Sequence, residues 1–303
     1  MTLCRFATIG LLSFAVIAAT AAAAAVAGAG DAAGAGSGGA LPPGAPRLMW
    51  IQGPSGQLRV EDGGSGGIPV VFVHGLAGDH SVWAAQLAHL RRSRRAVALD
   101  LHGMGESAPS AVGDYSIGSF AGDVAAVVDG LHLGRVVLVG HSMGGHVIAA
   151  VAAAHPAMVA GLLFDDPAGD LSKVPREEIE KQWLAKMEPG SYDAYVTSWF
   201  GGMLSAATPQ VREQVMAGLK RTPRAVVAAA ARAVAFNEPI PAIAGFPGPM
   251  LTIVTPENEV PVSLHKLAPG LPAKVIAGTS HWIMMDKPDE FDAAMDGFLA
   301  GVK

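Results

Sequence analysis

The sequence predicts an α/β fold, and three observations carry the prediction. Short continuous apolar runs at Ile68–Val73, Arg95–Leu99, Val136–Val139, Val159–Phe164, Met250–Val254 and Ala273–Ile276 read as strands buried on both faces. Between them lie stretches whose apolar residues recur at helical spacing, such as Ser81–Arg91 and Ser119–Leu131. Strands that alternate with helices in this way build a mostly parallel sheet flanked by its own connections. The third observation is bulk: 303 residues, 50% of them hydrophobic and 16% charged, suffice for a sizeable packed core.

Taken in chain order, the first residues read as an export signal. Arg5 forms a short basic start, an apolar stretch runs from about Ile9 to Val26, and small-residue cleavage options lie between Ala19 and Ala29. Residues 1–30 are therefore expected to be a signal peptide, and the protein to be periplasmic or secreted with no stable membrane association. The competing expectation is an uncleaved anchor, because the stretch approaches the ~20 residues that span a bilayer. The only cysteine, Cys4, precedes the apolar stretch, so the exported protein would contain no disulfide and no cysteine-based zinc site. Residues 31–46, rich in Ala, Gly and Pro and nearly free of charge, read as a flexible linker.

From Arg47 the strand and helix punctuation begins. Leu48–Gln52 and Gln57–Glu61 form a hairpin around Gly53-Pro54-Ser55-Gly56, and the core continues to residue 168. Residues 169–238 break the alternation with helical patterns alone, at about Pro175–Met187, Ser191–Phe200, Pro209–Leu219 and Pro223–Phe236, which indicates an inserted helical cap. Residues 239–303 return to strands and close with a helix at Pro288–Leu299.

The chemistry begins where the Val136–Val139 strand runs into Gly140-His141-Ser142-Met143-Gly144-Gly145 and then an alanine-rich helix. A strand-to-helix turn this tight leaves no room for side chains two residues either side of the serine, so both are glycine. The serine hydroxyl stands at the apex, and the next backbone N–H, from Met143, points where an oxyanion would form. Upstream, a buried strand ends in His74-Gly75-Leu76-Ala77-Gly78, which makes the Leu76 N–H the expected second donor; His74 is read as shaping the loop. A dinucleotide-binding turn needs glycine where Ser142 stands, and no Gly-Lys-Ser/Thr phosphate loop occurs. The net charge of −5 and a single basic run, Arg91-Arg92-Ser93-Arg94-Arg95, argue against nucleic-acid binding.

On these residues, together with Trp83, Asp100-Leu101-His102-Gly103-Met104-Gly105-Glu106-Ser107 and Gly278-Thr279-Ser280-His281-Trp282, the chain resembles the α/β-hydrolase superfamily, and within it the capped esterase and lactonase type. The resemblance covers nearly everything after the linker. It implies an α/β-hydrolase fold with the cap inserted after the sixth strand, and the chain order nucleophile, acid, histidine. His281, in a glycine-flanked loop before the last helix, is then the general base. Family position puts the acid in the loop Thr255-Pro256-Glu257-Asn258-Glu259, where Glu259 takes by spacing the place usually held by aspartate; Glu257 and Asp166, at the end of the preceding strand, are the alternatives. Asp100 is read as scaffold.

The expected reaction is acyl transfer to water from a small, mainly apolar ester or lactone, with Ser142 as nucleophile and no cofactor or metal. Haloalkane dehalogenases and epoxide hydrolases of the superfamily carry aspartate at the position of Ser142. Trp183, Trp199, Phe200 and Trp282 are the candidate substrate contacts. A receptor that keeps the triad without turnover, and an acyltransferase or perhydrolase using the same site, remain the alternatives.

Overall fold

The computed structural model describes residues 45–303. The expected signal peptide and most of the linker lie outside the described residues. Eight strands form one sheet: β1 (Arg47–Gln52), β2 (Gln57–Gly63), β3 (Val70–Val73), β4 (Ala96–Leu99), β5 (Val136–His141), β6 (Val159–Asp165), β7 (Met250–Val254) and β8 (Ala273–Val275). Their order across the sheet is β1-β2-β4-β3-β5-β6-β7-β8, and all neighbours from β4 to β8 run parallel, whereas β1 and β2 form an antiparallel hairpin at one edge. This is the α/β-hydrolase arrangement. The third strand begins two residues later than the apolar run suggests, because Pro69 has no N–H to give the ladder.

Side-chain alternation divides the core between the two faces of the sheet. Val71, Val73, Val97, Leu99 and Leu138 pack against α2 (Ile117–Gly130), which presents Phe120 and Val124, and against α3 (Met143–Ala154), which presents Val147 and Val151. On the other face, Val70, Phe72, Val137, Val139, Leu163 and Ile253 meet α1 (Ala84–Leu90) and the C-terminal helix Pro288–Leu299. The β3–β4–β5–β6 centre is fully buried, so the strand ends emerge from a rigid platform.

Between β6 and β7 come α4 (Arg176–Gln182), α5 (Tyr192–Met203), α6 (Pro209–Arg221), α7 (Arg224–Ala235) and α8 (Ile240–Gly245). Two starts follow the rules for helix ends. Thr208 accepts from the Val211 N–H with Pro209 in the first turn of α6, and Ser116 does the same for α2 with the Ser119 N–H. The first cap helix is shorter than its apolar spacing suggests: Trp183 leaves helical geometry and a 3₁₀ turn, Leu184–Met187, follows. The apolar spacing gave no sign of α8, which Pro239 caps and which carries Pro241 in its first turn, where proline costs the helix nothing. The cap is joined to the core through a shared apolar cluster that includes Tyr192, Val196, Phe200, Val211, Val215 and Val227. Among the described residues no helix is long and apolar enough to cross a membrane.

Candidate active site

Ser142 sits at the turn from β5 into α3 with φ 52° and ψ −116°, a region that non-glycine residues avoid. The neighbours enforce it. A Cβ on Gly140 would stand 2.4 Å from the Gly144 carbonyl oxygen, and one on Gly144 would stand 2.4 Å from that of Val73. The strained turn is held by the Ser142 N–H, which donates to Asp165 O at 3.0 Å, and by the Ser142 carbonyl, which accepts from Gly145 and Ala168. Strain of this kind persists where the surroundings over-determine it.

The loop after β3 lies directly against this turn. A Cβ on Gly75 would come within 3.0 Å of Ser142 Cβ and 2.8 Å of His141 Nδ1. Among the described residues, neither the Leu76 nor the Met143 backbone N–H has a hydrogen-bond acceptor. His74 is buried and braces the loop: its Nδ1 donates to Gly75 O at 2.7 Å and its Nε2 accepts from the Leu101 N–H at 3.0 Å. Burial holds its pKa below the ordinary histidine value. Asp100 is likewise buried and accepts from the His80 and Glu106 N–H groups.

His281 is held from two sides. Its Nδ1 lies 2.6 Å from Asp166 Oδ2, and since a carboxylate only accepts, Nδ1 carries a proton, so that in the neutral ring Nε2 is the nitrogen with the lone pair. Its carbonyl accepts from His141 Nε2 at 2.9 Å, and the two imidazole rings lie 4.7 Å apart. The base loop is thereby tied to the residue that precedes Ser142. Burial, reinforced by the proximity of His281, keeps the His141 pKa well below its ordinary value, so it acts as a neutral donor.

The expectation that Glu259 meets the histidine is corrected by the structure. Glu259 is an exposed residue that pairs with His265 at 2.7 Å and with Lys266, and Glu257 is exposed as well. The Lys266 ammonium, followed by His265, draws the Glu259 pKa below the ordinary carboxylate value. A short 3₁₀ turn, Pro256–Asn258, is the physical reason: it directs the glutamates outward and turns Thr255 and Asn258 back toward Asp166. Asp166 Oδ1 accepts from the Thr255 N–H at 2.8 Å and from Asn258 Nδ2 at 3.1 Å. These two holders of the carboxylate escaped the sequence reading; the polar residues Thr255 and Asn258 on either side of Pro256-Glu257 were the only signal. Asp166 adopts φ 38°, which turns its side chain back from the strand direction.

The neighbouring Asp165 is fully buried at the end of β6, neither of its oxygens has a partner among the described residues, and burial followed by the charge of Asp166 raises its pKa well above the usual range. His146, one turn into α3, donates from Nε2 to Ala168 O at 3.0 Å and accepts at Nδ1 from Asn237 at 3.1 Å. It bridges the two ends of the cap, and burial lowers its pKa.

The four candidate substrate contacts form a line of rings. Trp183 meets Trp199 edge-on at 5.4 Å, Trp199 meets Phe200 at 5.3 Å, Phe200 meets Trp282 at 6.1 Å, and Trp282 meets His281 at 5.2 Å. Phe200 and Trp282 are buried core residues, whereas Trp183 and Trp199 are partly exposed.

A parallel sheet with a strained serine at the strand-to-helix turn, a histidine loop after the last strand and a helical cap defines the α/β-hydrolase class. The chain belongs to the alpha/beta hydrolase family, which it matches over residues 70–294. It is 42% identical over 109 residues to the dihydrolipoyllysine-residue acetyltransferase component of the acetoin cleaving system of Pseudomonas putida, a match covering 36% of this chain and 29% of that protein's length. Among solved structures, a thermophilic esterase from Thermogutta terrifontis is similar with a TM-score of 0.71 and 25% identity, over 84% of this chain and 98% of that one. An N-acyl homoserine lactone degrading enzyme shares the fold with a TM-score of 0.68 and 23% identity, over 82% and 100% of the two chains.

Proposed function

We propose that this chain is a serine hydrolase that cleaves carboxylic esters or lactones of small, mainly apolar substrates through an acyl-enzyme. The observation that carries the reading is the pair Asp166 Oδ2 and His281 Nδ1 at 2.6 Å, with the His281 carbonyl bonded to His141 beside Ser142. Asp166 fixes the tautomer that leaves Nε2 as a base and balances the imidazolium once it forms.

Ser142 Oγ attacks the carbonyl carbon while His281 Nε2 takes its proton. The negative oxygen of the tetrahedral intermediate is met by the Leu76 and Met143 N–H groups, each donor worth ~10²–10³ in rate. Collapse expels the alkoxide, which takes the proton from His281, and leaves an ester on Ser142. Water, deprotonated by His281, then attacks that ester, and Ser142 Oγ leaves by taking the proton back from His281 as the acid is released. A lactone follows the same path and opens to a hydroxy acid. The partly exposed rings of Trp183 and Trp199 suit an apolar acyl or alkoxy group.

Hydrolysis of short-chain p-nitrophenyl esters and a simple lactone, compared between the wild type and Ser142→Ala, tests the reading. Turnover that vanishes in the variant supports it; turnover that survives overturns it. The likeness to an acetyltransferase component favours a second reading, in which an alcohol, amine or thiol accepts the acyl group. An acceptor-dependent product in the same assay distinguishes it. We propose further that residues 1–30 direct export, which N-terminal sequencing of the mature protein tests.

A further inference from the structure

The cap helix α6 touches both loops that flank Ser142. At its start, the Thr208 N–H donates to Asp286 Oδ1 at 3.3 Å, and Asp286 Oδ2 accepts from the N–H and hydroxyl of Ser280, the residue before His281. The His281 N–H itself donates to Met203 O, at the end of α5, at 3.2 Å. Thirteen residues of helix span about 20 Å. From its middle to its far end, α6 meets the segment that follows Leu76: Gln214 Nε2 donates to Ser81 Oγ at 3.0 Å, and Arg221 donates to Asp79 Oδ2 at 2.7 Å. Between these two bonds lies Gly218, where an added Cβ would stand 2.7 Å from the carbonyl oxygen of Ala77.

Two features mark this contact as more than cap packing. Ala77 adopts φ 58°, strained for a residue with a Cβ, and it follows Leu76 directly. Glycine in the interior of α6 costs the helix about 1 kcal/mol relative to alanine, so its presence at 218 has to be explained by space. The space is what lets the helix backbone rest on the Ala77 carbonyl. Asp79 closes the arrangement: its Oδ1 accepts from the Ser81 N–H and hydroxyl, and its Oδ2 accepts from Arg221, so the guanidinium grips the turn that ends the loop.

We propose that Gly218 and Arg221 are positioning residues for the Leu76 oxyanion donor, so that the seated cap helix is part of what forms the oxyanion hole. This rests on the serine-hydrolase reading above.

Gly218→Ala separates this from a merely structural role, because the two predict different kinetics. A structural role predicts a lowered Tm, from the methyl that would stand 2.7 Å from the Ala77 carbonyl oxygen, with unchanged kinetics. Positioning predicts a kcat on p-nitrophenyl butyrate lowered about tenfold, short of the full loss of one donor, with KM changed less than twofold. Inhibition by phenylboronic acid, which puts a charged tetrahedral oxygen in the oxyanion position, weakens by the same factor. Arg221→Gln, at a side chain 57% exposed and so tolerant of change, gives the same pattern in smaller measure, and Arg221→Lys restores part of it. If both Gly218→Ala and Arg221→Gln keep wild-type kcat and boronate affinity while Ser142→Ala is inactive, the positioning role is overturned and the hydrolase reading stands. If Ser142→Ala stays active, the hydrolase reading falls and this role falls with it.

Discussion

Asp166 Oδ2 lies 2.6 Å from His281 Nδ1, although the two residues are 115 positions apart and belong to loops after different strands. The pairing depends on the 255–258 turn, which has to fold back before Thr255 and Asn258 can hold the carboxylate. Asp166, Thr255, Asn258 and His281 therefore form one hydrogen-bonded unit, and Glu259 belongs to a separate one with His265 and Lys266.

Replacing Asp166 with asparagine is expected to lower kcat by about 10⁴, since the amide favours the wrong tautomer of His281. Glu259→Gln and Glu257→Gln should stay within about twofold, because an exposed carboxylate that pairs elsewhere contributes little. Steady-state kinetics on one ester substrate checks all three; a Glu259→Gln variant as impaired as Asp166→Asn would contradict the assignment.

Gly144→Ala is expected to destabilise the fold by roughly 3 kcal/mol or more, because the new methyl meets the rigid Val73 carbonyl at 2.4 Å and neither backbone has room to move. A denaturant melt followed by circular dichroism reads the loss. A midpoint equal to that of the wild type would show that the elbow is softer than its geometry indicates.

Asp165 has its folded-state pKa raised by burial and by Asp166, while the unfolded chain has the ordinary value of 3.8. Between those two values the folded state binds the proton and the unfolded state does not, so stability falls as pH rises through that window. Asparagine cannot ionise. The Tm of Asp165→Asn relative to wild type should accordingly climb from pH 4 toward alkaline pH, and a difference that stays flat across that range would place the carboxyl in a wetter site than the structure shows.

His146 carries the opposite sign. Its folded-state pKa is lowered by burial from 6.5, so below that pH the unfolded chain takes up a proton that the folded chain refuses. Stability then falls as pH drops from about 6.5 toward the lowered value. His146→Gln, which keeps an N–H for the Ala168 carbonyl, should flatten the acid limb of a Tm-against-pH curve. An acid limb identical to wild type would remove His146 from the account.

The elements that sequence reading located well are those whose signal is local. The Met250–Val254 strand and the Pro288–Leu299 helix agree residue for residue with their apolar patterns, because burial of each depends on its own periodicity and on proline or glycine at its ends. The serine turn was legible for the same reason: Gly140, Ser142 and Gly144 lie within one five-residue segment, and the clash that demands glycine at 140 is with Gly144 in that segment, although the one at 144 is with Val73 of β3. Trp183 was misjudged as helical, since the ring contact with Trp199 that accompanies the break belongs to another helix.

By itself, the sequence determined the α/β class, the inserted cap and the serine at the strand-to-helix turn, which are written in periodicity and in steric demands, while the histidine loop near the end followed from the resemblance to the family. Only the tertiary structure decided which carboxylate faces His281, that His141 tethers the base loop, and that Gly218 of the cap rests on Ala77. Spacing along a chain ranks Glu259 above Asp166, but a hydrogen bond is decided by where two strand ends meet across the sheet and by which way one 3₁₀ turn points its side chains.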